Sequence, residues 1–489
     1  MFIRFVMALF VLASISARAD DPKVLLIVLD GLRPDYVTPD VMPVLHALGE
    51  RGIVFEDHHS VFPTVTRVNS SSITTGSYPA SHGLMDNSVY FPEVDPLKGL
   101  NTSDAANLLR IDEATGGNLL TARSLPERLA KSRMAALVVS SGSSGSALLL
   151  NPKALGGGVI NVERIFPETQ RDRILGALGP APIESTPNDA QNGWAVDAYL
   201  AFGLVESGPE LAMMWLSDPD HTAHERGMGD PVTVDALRKV DAQVGRVLDA
   251  IANSPFAGKV DVIVTSDHGF STHKGGMNVS AVLKDHGLDD GAVVVAGNVY
   301  VQQGGPERIA AIVKALQQAP WAGAIFTRGA APDDMMGAVP GTLSLAAAHL
   351  DHPRAADIVV SANWSGEKNE FGFAGATTQG GVAGHGTSSP HDIRNTLIAA
   401  GPSFKQSVRS RVPSSNADLA PTICQIVNIE EWPPMYGRTL LEGLVEGPDP
   451  NLVTVIRSRI RSESEGYTVE MDISTVANRR YINGTRVSR

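Results

Sequence analysis

Short apolar runs alternate along the chain with segments whose apolar residues recur at helical spacing. Continuous apolar runs of this length suit strands of a sheet that is covered on both faces. The predicted strands are residues 23–29, 135–140, 211–216, 259–265, 356–360 and 396–400. The predicted helices are residues 43–51, 195–207, 232–253 and 306–318.

This alternation predicts an α/β fold with a mostly parallel, doubly wound sheet and helices on both faces. A chain of 489 residues suits one large domain of this kind, which we place at residues 20–448. Residues 99–192 are rich in Gly, Ser and Pro and predict an insertion or cap within it. Residues 449–489 predict a C-terminal extension with a small β element.

The first residues predict a secretory signal peptide at 1–19. Residues 5–15 are apolar but short for a bilayer span, and Ala17, Arg18 and Ala19 form a small-x-small cleavage signature. The alternative is an uncleaved anchor. Cys424 is the single cysteine, so no intrachain disulfide can form, which suits a bacterial periplasm or medium. We therefore expect a periplasmic or secreted protein with no stable membrane span after cleavage.

The net charge of −13 argues against binding to a nucleic-acid scaffold, which needs clustered Lys and Arg. Apolar residues make up 43% of the chain and charged residues 19%, as in globular proteins. A small anionic substrate fits this composition if a local site supplies positive charge. Neither the oligomeric state nor the natural leaving group follows from the sequence.

Acidic and imidazole side chains follow three of the predicted strands. Asp30 ends the first, Asp220 follows residues 211–216, and Asp267 and His268 follow residues 259–265. An aspartate after a strand is usually a helix cap or a turn former. Ligands of such sheets bind beyond the carboxyl ends of the strands. Acidic and imidazole side chains at three such ends therefore predict a ligand-binding site.

The spacing of further histidines suggests a metal site there. Asp220 and His224 lie four residues apart, which places both side chains on one face of a helix. His385 lies in a glycine-flanked loop that is free to turn inward. Mixed carboxylate and imidazole ligands suit Zn²⁺ or a similar transition metal better than Mg²⁺ or Ca²⁺.

The segment FPTVTRVNSSSITTGSYPASHGLMDN, residues 62–87, is unusually rich in hydroxyl side chains. The bland interpretation is a linker. The alternative is a reaction centre, because a hydroxyl lies where a loop enters a predicted helix, and a helix N-terminus favours bound phosphate. Two metal ions can hold the attacking and leaving oxygens of a phosphoryl transfer, and such a pair needs a nucleophile.

Five motifs together resemble the nucleotide pyrophosphatase/phosphodiesterase branch of the alkaline phosphatase superfamily. They occur in that family's order from residue 23 to about residue 440: VLDGLRPDY, PTVTRVN followed by TGSYPASHGLMDN, DPDHTAH, SDHG and GHGTSSPHDIRNTLIAAGP. The resemblance implies an alkaline phosphatase-like fold. It also implies Thr66 as nucleophile and Asn87 as donor to a non-bridging phosphate oxygen. Two zinc ions are implied, one held by Asp220, His224 and His385, the other by Asp30, Asp267, His268 and the Thr66 oxygen.

The implied function is a secreted two-zinc phosphodiesterase that cleaves phosphodiester or pyrophosphate bonds through a threonyl-phosphate intermediate. The chain departs from this family at Arg67, where nucleotide-cleaving relatives commonly have an aromatic residue, and at Val68, where many have Pro. Arg67 is either a ligand of a second anionic group on a small phosphate-ester substrate or a solvated arginine.

Two alternatives stay open at this point. One is a phosphomonoesterase or phosphonate hydrolase on the same scaffold. The other, of a different class, is a metal-binding envelope protein without catalytic activity. Residues 135–150 contain no Lys or Arg, which favours a monoanionic diester over a monoester dianion.

Overall fold

A nine-stranded mixed sheet organises the computed structural model, which describes residues 23–430 and 433–489. Five neighbouring strands at its centre run parallel to one another. Their side chains are almost entirely buried, as expected for a sheet covered on both faces. The order across the sheet is Val408–Ser410, Ile53–Phe55, Leu397–Ala400, Val260–Thr265, Lys23–Leu29, Leu211–Leu216, Ala136–Ser140, Gly158–Asn161 and Ile165–Phe166.

The fold class predicted from the apolar runs is confirmed, with two differences in detail. Leu397–Ala400 lies in the main sheet but runs antiparallel to its neighbour Val260–Thr265. The run predicted at 356–360 forms Ile358–Ala362, which belongs to a separate five-stranded sheet. An apolar run predicts burial of a strand, but neither its direction nor its sheet, because those depend on the path of the connecting chain.

Helices pack on both faces of the main sheet, and three of the four predicted helices agree with the structure to within one residue at each end. The fourth, predicted at 195–207, is Asp189–Phe202: it begins six residues before its predicted start, because its first turn is polar and lacks apolar spacing, and it ends five residues before its predicted end. The α-helices are Pro43–Arg51, Thr66–Thr75, Pro79–His82, Ala105–Ala114, Leu125–Lys131, Ser144–Leu150, Arg171–Leu178, Asp189–Phe202, Asp220–Arg226, Pro231–Ala252, Val279–Asp285, Gly305–Gln318, Pro390–Ile393 and Leu419–Ile426. Short 3-10 helices lie at Pro34–Tyr36, Glu168–Gln170, Asn416–Asp418, Leu441–Gly443 and Pro450–Leu452.

Smaller sheets lie beside the main one, and most of their strands come from the second half of the chain. A five-stranded sheet contains Ala292–Val295, Asn298–Val301, Ile358–Ala362, Ala322–Thr327 and Leu343–Ser344. A four-stranded sheet contains Trp364–Lys368, Ala374–Thr377, Ser271–His273 and Ala383–Gly384. Two-stranded pairings join His58–His59 to Ser414–Ser415, and Ser88–Val89 to Leu100–Asn101.

Residues 99–192, the predicted insertion, contribute three strands to the main sheet, Ala136–Ser140, Gly158–Asn161 and Ile165–Phe166. The small residues of this range are explained in part by close packing. A Cβ atom at Gly145, for example, would lie 1.8 Å from the Thr102 carbonyl oxygen. These strands are therefore part of the main sheet. The limits of the domain stay a prediction.

The C-terminal β element is a three-stranded antiparallel sheet of Ile456–Ser464, Tyr467–Val476 and Arg479–Ser488. Its buried apolar side chains join the hydrophobic cluster of the five-stranded sheet. The signal peptide predicted at 1–19 lies outside the described residues. Within them, no helix combines the length and the apolar character that crossing a bilayer requires.

Candidate active site

The carboxyl ends of three adjacent parallel strands bring four of the predicted residues together. Asp30 directly follows Lys23–Leu29, and Asp267 and His268 follow Val260–Thr265. Asp220 is the first residue of the helix Asp220–Arg226, and its backbone N–H donates to the Asp30 carbonyl oxygen over 3.0 Å. The strand pairing therefore fixes these side chains at one edge of the sheet.

Asp220, His224 and His385 form one group of possible metal ligands. Their ligand atoms all lie within 4.8 Å of one another. Asp220 Oδ1 lies 3.2 Å from His224 Nε2 and 3.4 Å from His385 Nε2. The helical spacing of Asp220 and His224 is as predicted, and the loop after Ala383–Gly384 carries His385 to them.

A second group consists of Asp30, Asp220 and His268, again with ligand atoms within 4.8 Å. His268 Nε2 lies 3.4 Å from Asp30 Oδ1 and 3.9 Å from Asp220 Oδ1. Asp267 Oδ2 lies 3.1 Å from the same nitrogen, while Asp267 Oδ1 accepts the Gly31 N–H over 3.1 Å. Asp220 thus lies between two adjoining groups of ligands.

All three imidazoles of these groups are oriented in the same way. Nδ1–H of His224 donates to the Ala383 carbonyl over 2.9 Å, that of His268 to Gly269 over 2.9 Å, and that of His385 to Thr64 over 2.8 Å. A carbonyl oxygen can only accept, so each Nδ1 carries the proton and each Nε2 presents a lone pair. Hydrogen bonds of this kind orient metal-ligating histidines.

The buried carboxylates supply the negative charge that a cation site needs. Among the described residues, Asp30 Oδ1, Asp220 Oδ1 and Asp267 Oδ2 are enclosed without a hydrogen-bond partner. Burial, with the neighbouring charges of Asp267 and Asp220, raises the pKa of Asp30 well above its usual value. Three converging oxygens that lack donors fit bound cations, which would offset both the burial and the mutual repulsion.

Thr66 begins the helix Thr66–Thr75, as the hydroxyl-rich segment predicts. Its side chain is buried, and its Oγ1 lies 3.4 Å from His268 Nε2. The hydroxyl therefore lies at a helix N-terminus, whose dipole and free N–H groups favour phosphate, and beside the second ligand group.

Asn87 and Arg67 flank this hydroxyl. The Asn87 carboxamide oxygen accepts the backbone N–H of Arg67 over 3.0 Å, which ties the turn after Met85 to the first turn of the Thr66 helix. Because the oxygen is the acceptor, the Asn87 amide hydrogens are left as donors. Burial lowers the pKa of Arg67, against the opposing effect of the site carboxylates.

Two residues that the sequence did not single out support the site. Trp215 Nε1–H donates to Asp30 Oδ2 over 2.9 Å, which leaves Oδ1 to face the ligand group. Asn416 Nδ2 donates to the Asp267 carbonyl over 2.9 Å and to the Asn69 side chain over 2.9 Å. Trp215 lies in a fully apolar run and Asn416 far along the chain, so no local pattern distinguishes either from ordinary core and loop residues.

The chain is similar to curated proteins over about half its length. Ectonucleotide pyrophosphatase/phosphodiesterase family member 1 of Rattus norvegicus is 26% identical over 255 residues, which is 52% of this chain and 24% of that protein. Bis(5'-adenosyl)-triphosphatase enpp4 of Xenopus laevis is 26% identical over 251 residues, 51% of this chain and 47% of the relative. The aligned region thus spans between a quarter and a half of these relatives.

Solved structures share the fold. Murine ectonucleotide pyrophosphatase/phosphodiesterase 5 superposes with a TM-score of 0.60 over 83% of this chain and 95% of its own, at 16% identity. An inactive threonine-to-alanine variant of the same protein, in complex with AMP, gives the same TM-score over 84% of this chain and 96% of that chain, also at 16% identity. The sequence profile of type I phosphodiesterase / nucleotide pyrophosphatase matches residues 24–366, which is most of the chain. With the fold in agreement, this match shows that the chain belongs to the type I phosphodiesterase/nucleotide pyrophosphatase family of the alkaline phosphatase superfamily.

Proposed function

We propose that the chain is a two-zinc phosphodiesterase that hydrolyses phosphodiester or pyrophosphate bonds through a covalent intermediate on Thr66. The observation that carries the proposal is the position of Thr66 Oγ1, at a helix N-terminus and 3.4 Å from His268 Nε2. A linker would not bury a hydroxyl beside two groups of unsatisfied carboxylates. Membership of a family of phosphoric ester hydrolases supports the same chemistry.

The residues fit two metal ions. Asp220, His224 and His385 would hold one, and Asp30, Asp267 and His268, with the Thr66 oxygen, the other. Bound Zn²⁺ would polarise the phosphate oxygens and make the nearby hydroxyl more acidic. The mixture of carboxylate and imidazole favours Zn²⁺ over Mg²⁺ or Ca²⁺.

The chain's own groups perform the rest of the reaction. The Thr66 oxygen attacks phosphorus in line as its hydroxyl proton passes to solvent. The bond from phosphorus to the leaving oxygen breaks as the bond to Thr66 forms, and the leaving oxygen takes up a proton from solvent. The Asn87 amide and the N-terminus of the Thr66 helix donate to the non-bridging oxygens, where negative charge accumulates. Water then attacks the phosphorus of the intermediate and releases Thr66 for another turnover.

The test compares wild type, Thr66→Ala and Thr66→Ser with an aryl phosphodiester as substrate. We expect Thr66→Ala to retain its metals but to lose about a thousandfold or more in kcat, because no nucleophile remains. Thr66→Ser keeps a hydroxyl and should keep measurable turnover. Mass spectrometry of rapidly quenched wild type should show a phosphoryl adduct on Thr66. Near wild-type turnover by Thr66→Ala would refute the covalent route.

We also propose that the protein is exported and cleaved after Ala19. The support is the short apolar stretch at residues 5–15 and the small residues Ala17 and Ala19. N-terminal sequencing of the native product should begin at Asp20, in the periplasm or the medium. Retention of Met1 in the native product would contradict export by cleavage.

A further inference from the structure

Arg67 lies directly beside the proposed nucleophile, as the second residue of the helix Thr66–Thr75. Its backbone N–H donates to the Asn87 side-chain oxygen. Its guanidinium has no hydrogen bond or ion pair with any residue in 23–430 or 433–489. The Nε atom is enclosed by protein and has no partner. The side chain therefore presents a positive charge and several N–H donors that the protein does not use.

Two other arginines whose side chains are largely buried, Arg33 and Arg438, are paired. Arg33 donates to both Asp35 carboxylate oxygens, over 2.8 and 2.6 Å, and to the Phe270 carbonyl over 2.6 Å. Arg438 binds the Glu442 carboxylate through two bonds of 2.8 and 2.7 Å. Arg67 is partly exposed, but its enclosed Nε lacks a partner, which is costly for a cation and favours a partner from outside the chain.

The carboxylates around Arg67 are engaged elsewhere. The charges of Asp30, Asp220 and Asp267 act on Arg67. Their oxygens without hydrogen-bond partners, however, converge on the proposed metal ions. Asp86, one residue before Asn87, accepts the Asn87 N–H over 2.6 Å and the Asn298 amide over 2.9 Å. Once cations neutralise the first three carboxylates, Asp86 is the one of these four whose charge still acts on Arg67, and it forms no ion pair with the guanidinium.

We propose that Arg67 is a specificity-determining residue that binds a second anionic group of the substrate, beyond the single charge of a simple phosphodiester. A guanidinium can hold two oxygens of one phosphate or carboxylate, which suits it to this task. The second charge has two possible sources. It lies either on the reacting phosphoryl group, as in a monoester, or on a phosphate or carboxylate of the second substituent. This inference rests on the proposed function, because it assumes that the phosphoryl group binds at Thr66.

The experiment measures binding rather than turnover, so that it does not depend on the rate of hydrolysis. Metal-loaded Thr66→Ala protein is titrated calorimetrically with three aryl phosphates that share one aryl group. They are the methyl diester, the monoester, and a diester whose alkyl substituent ends in a phosphate. Each titration is repeated in the double variants that add Arg67→Ala, Arg67→Lys or Arg461→Ala. Arg461 is an exposed arginine of the strand Ile456–Ser464, so it controls for loss of overall positive charge.

We expect Arg67→Ala to weaken binding of at least one doubly charged ligand by about 10- to 100-fold more than that of the methyl diester, the range for one charge-assisted contact. Arg67→Lys should recover part of this difference, and Arg461→Ala should show none. Weaker binding of the monoester by Arg67→Ala places the second charge on the reacting phosphoryl group. Weaker binding of the extended diester places it on the second substituent. Equal losses for all three ligands, or no loss, would overturn the inference. Failure of the proposed function is separate, since it would appear as turnover that does not depend on Thr66.

Discussion

At the scale of single residues, Asp220 connects the two groups of ligands. Its Oδ1 lies within 3.2 to 3.9 Å of three imidazole nitrogens, those of His224, His385 and His268. Burial tends to raise the pKa of Asp220, but the three histidines, when protonated, outweigh burial and hold it below its usual range. One carboxylate thus belongs to both groups.

We therefore expect Asp220→Asn, which keeps the shape but removes the charge, to lower metal affinity and kcat/KM by more than about tenfold, since even outer-shell changes cost that much. The measurement is metal content by mass spectrometry after dialysis against a mild chelator, followed by activity with added Zn²⁺. Glu225→Gln is the matched control, because Glu225 lies on the same helix but faces solvent. Full metal content in Asp220→Asn would remove Asp220 from the ligand assignment.

His82 belongs to the motif SHG but serves the structure around the nucleophile helix. Its Nδ1 accepts the Leu84 N–H over 3.2 Å, so Nε2–H donates to Ser72 Oγ over 3.0 Å. The side chain is fully buried, and burial lowers its pKa to about 3. Because the folded pKa is below the unfolded value of about 6.5, the neutral ring stabilises the fold above pH 6.5, and this stabilisation is lost as the pH falls towards 3.

Denaturant unfolding of the metal-free protein at several pH values tests this assignment. We expect His82→Gln to be less stable than wild type at pH 8, by about 1–3 kcal/mol, because two buried hydrogen bonds are disturbed. The gap should narrow as the pH falls from 6.5 to 4, because only wild type must protonate the buried ring. His286→Gln, at an exposed position, should follow wild type at every pH. Parallel curves for His82→Gln and wild type would contradict the assignment.

At the scale of elements, most hydroxyl side chains of the helix Thr66–Thr75 form hydrogen bonds within the fold. Ser70, Ser71 and Thr75 donate to backbone carbonyls four residues earlier, and Thr74 donates to the Leu150 carbonyl over 2.8 Å. A helix that is buried on all sides can thereby carry polar side chains without unsatisfied groups. Among the hydroxyls of this helix, that of Thr66 lies beside the ligand groups. The four hydroxyls that donate to backbone carbonyls are structural.

The end of this helix depends on Gly76. The residue has φ of +63°, and a Cβ atom there would lie 2.3 Å from Met435 Sδ. We expect Gly76→Ala to lower the free energy of unfolding by about 1–3 kcal/mol, through backbone strain and displacement of Met435. Gly276→Ala, where a Cβ atom meets nothing within 4 Å, should change it little. Thermal unfolding of both variants gives the comparison, and equal stability would contradict the packing.

At the scale of the whole molecule, the C-terminal sheet is part of the core. Tyr467, Val469, Met471 and Ile473 are at most 2% exposed and join the cluster that contains Phe326. Polar contacts also connect this sheet to the main body. Tyr481 OH donates to Asp418 Oδ2 over 3.0 Å and accepts from Arg438 Nε over 2.8 Å.

We therefore expect a chain that ends at residue 448 to fail to fold. Burying each large apolar side chain contributes about 1.5–3 kcal/mol, and several together match the usual 5–15 kcal/mol of total stability. The measurement is soluble yield and the presence of a cooperative thermal transition, with Arg461→Ala as the control within the same sheet. A soluble, cooperatively folded product of residues 20–448 would show that the extension is dispensable.

The sequence by itself determined the class of the fold and pointed to most residues of the candidate site. Apolar runs report burial directly, and the i, i+4 spacing of Asp220 and His224 is a local property of a helix. The positions of Asp30, Asp267 and His268 after predicted strands follow from the same local pattern, because parallel strands end at one edge.

Only the tertiary structure decided the direction of Leu397–Ala400, the sheet to which Ile358–Ala362 belongs, and the place of residues 136–161 in the main sheet. It also decided which polar groups are left without partners. Arg67 is an ordinary arginine in the sequence, and the proposed anion site rests on the structural finding that its guanidinium forms no ion pair with a nearby carboxylate. Pairing between residues far apart in the chain depends on the path of the backbone, which no local pattern of apolar and polar positions encodes.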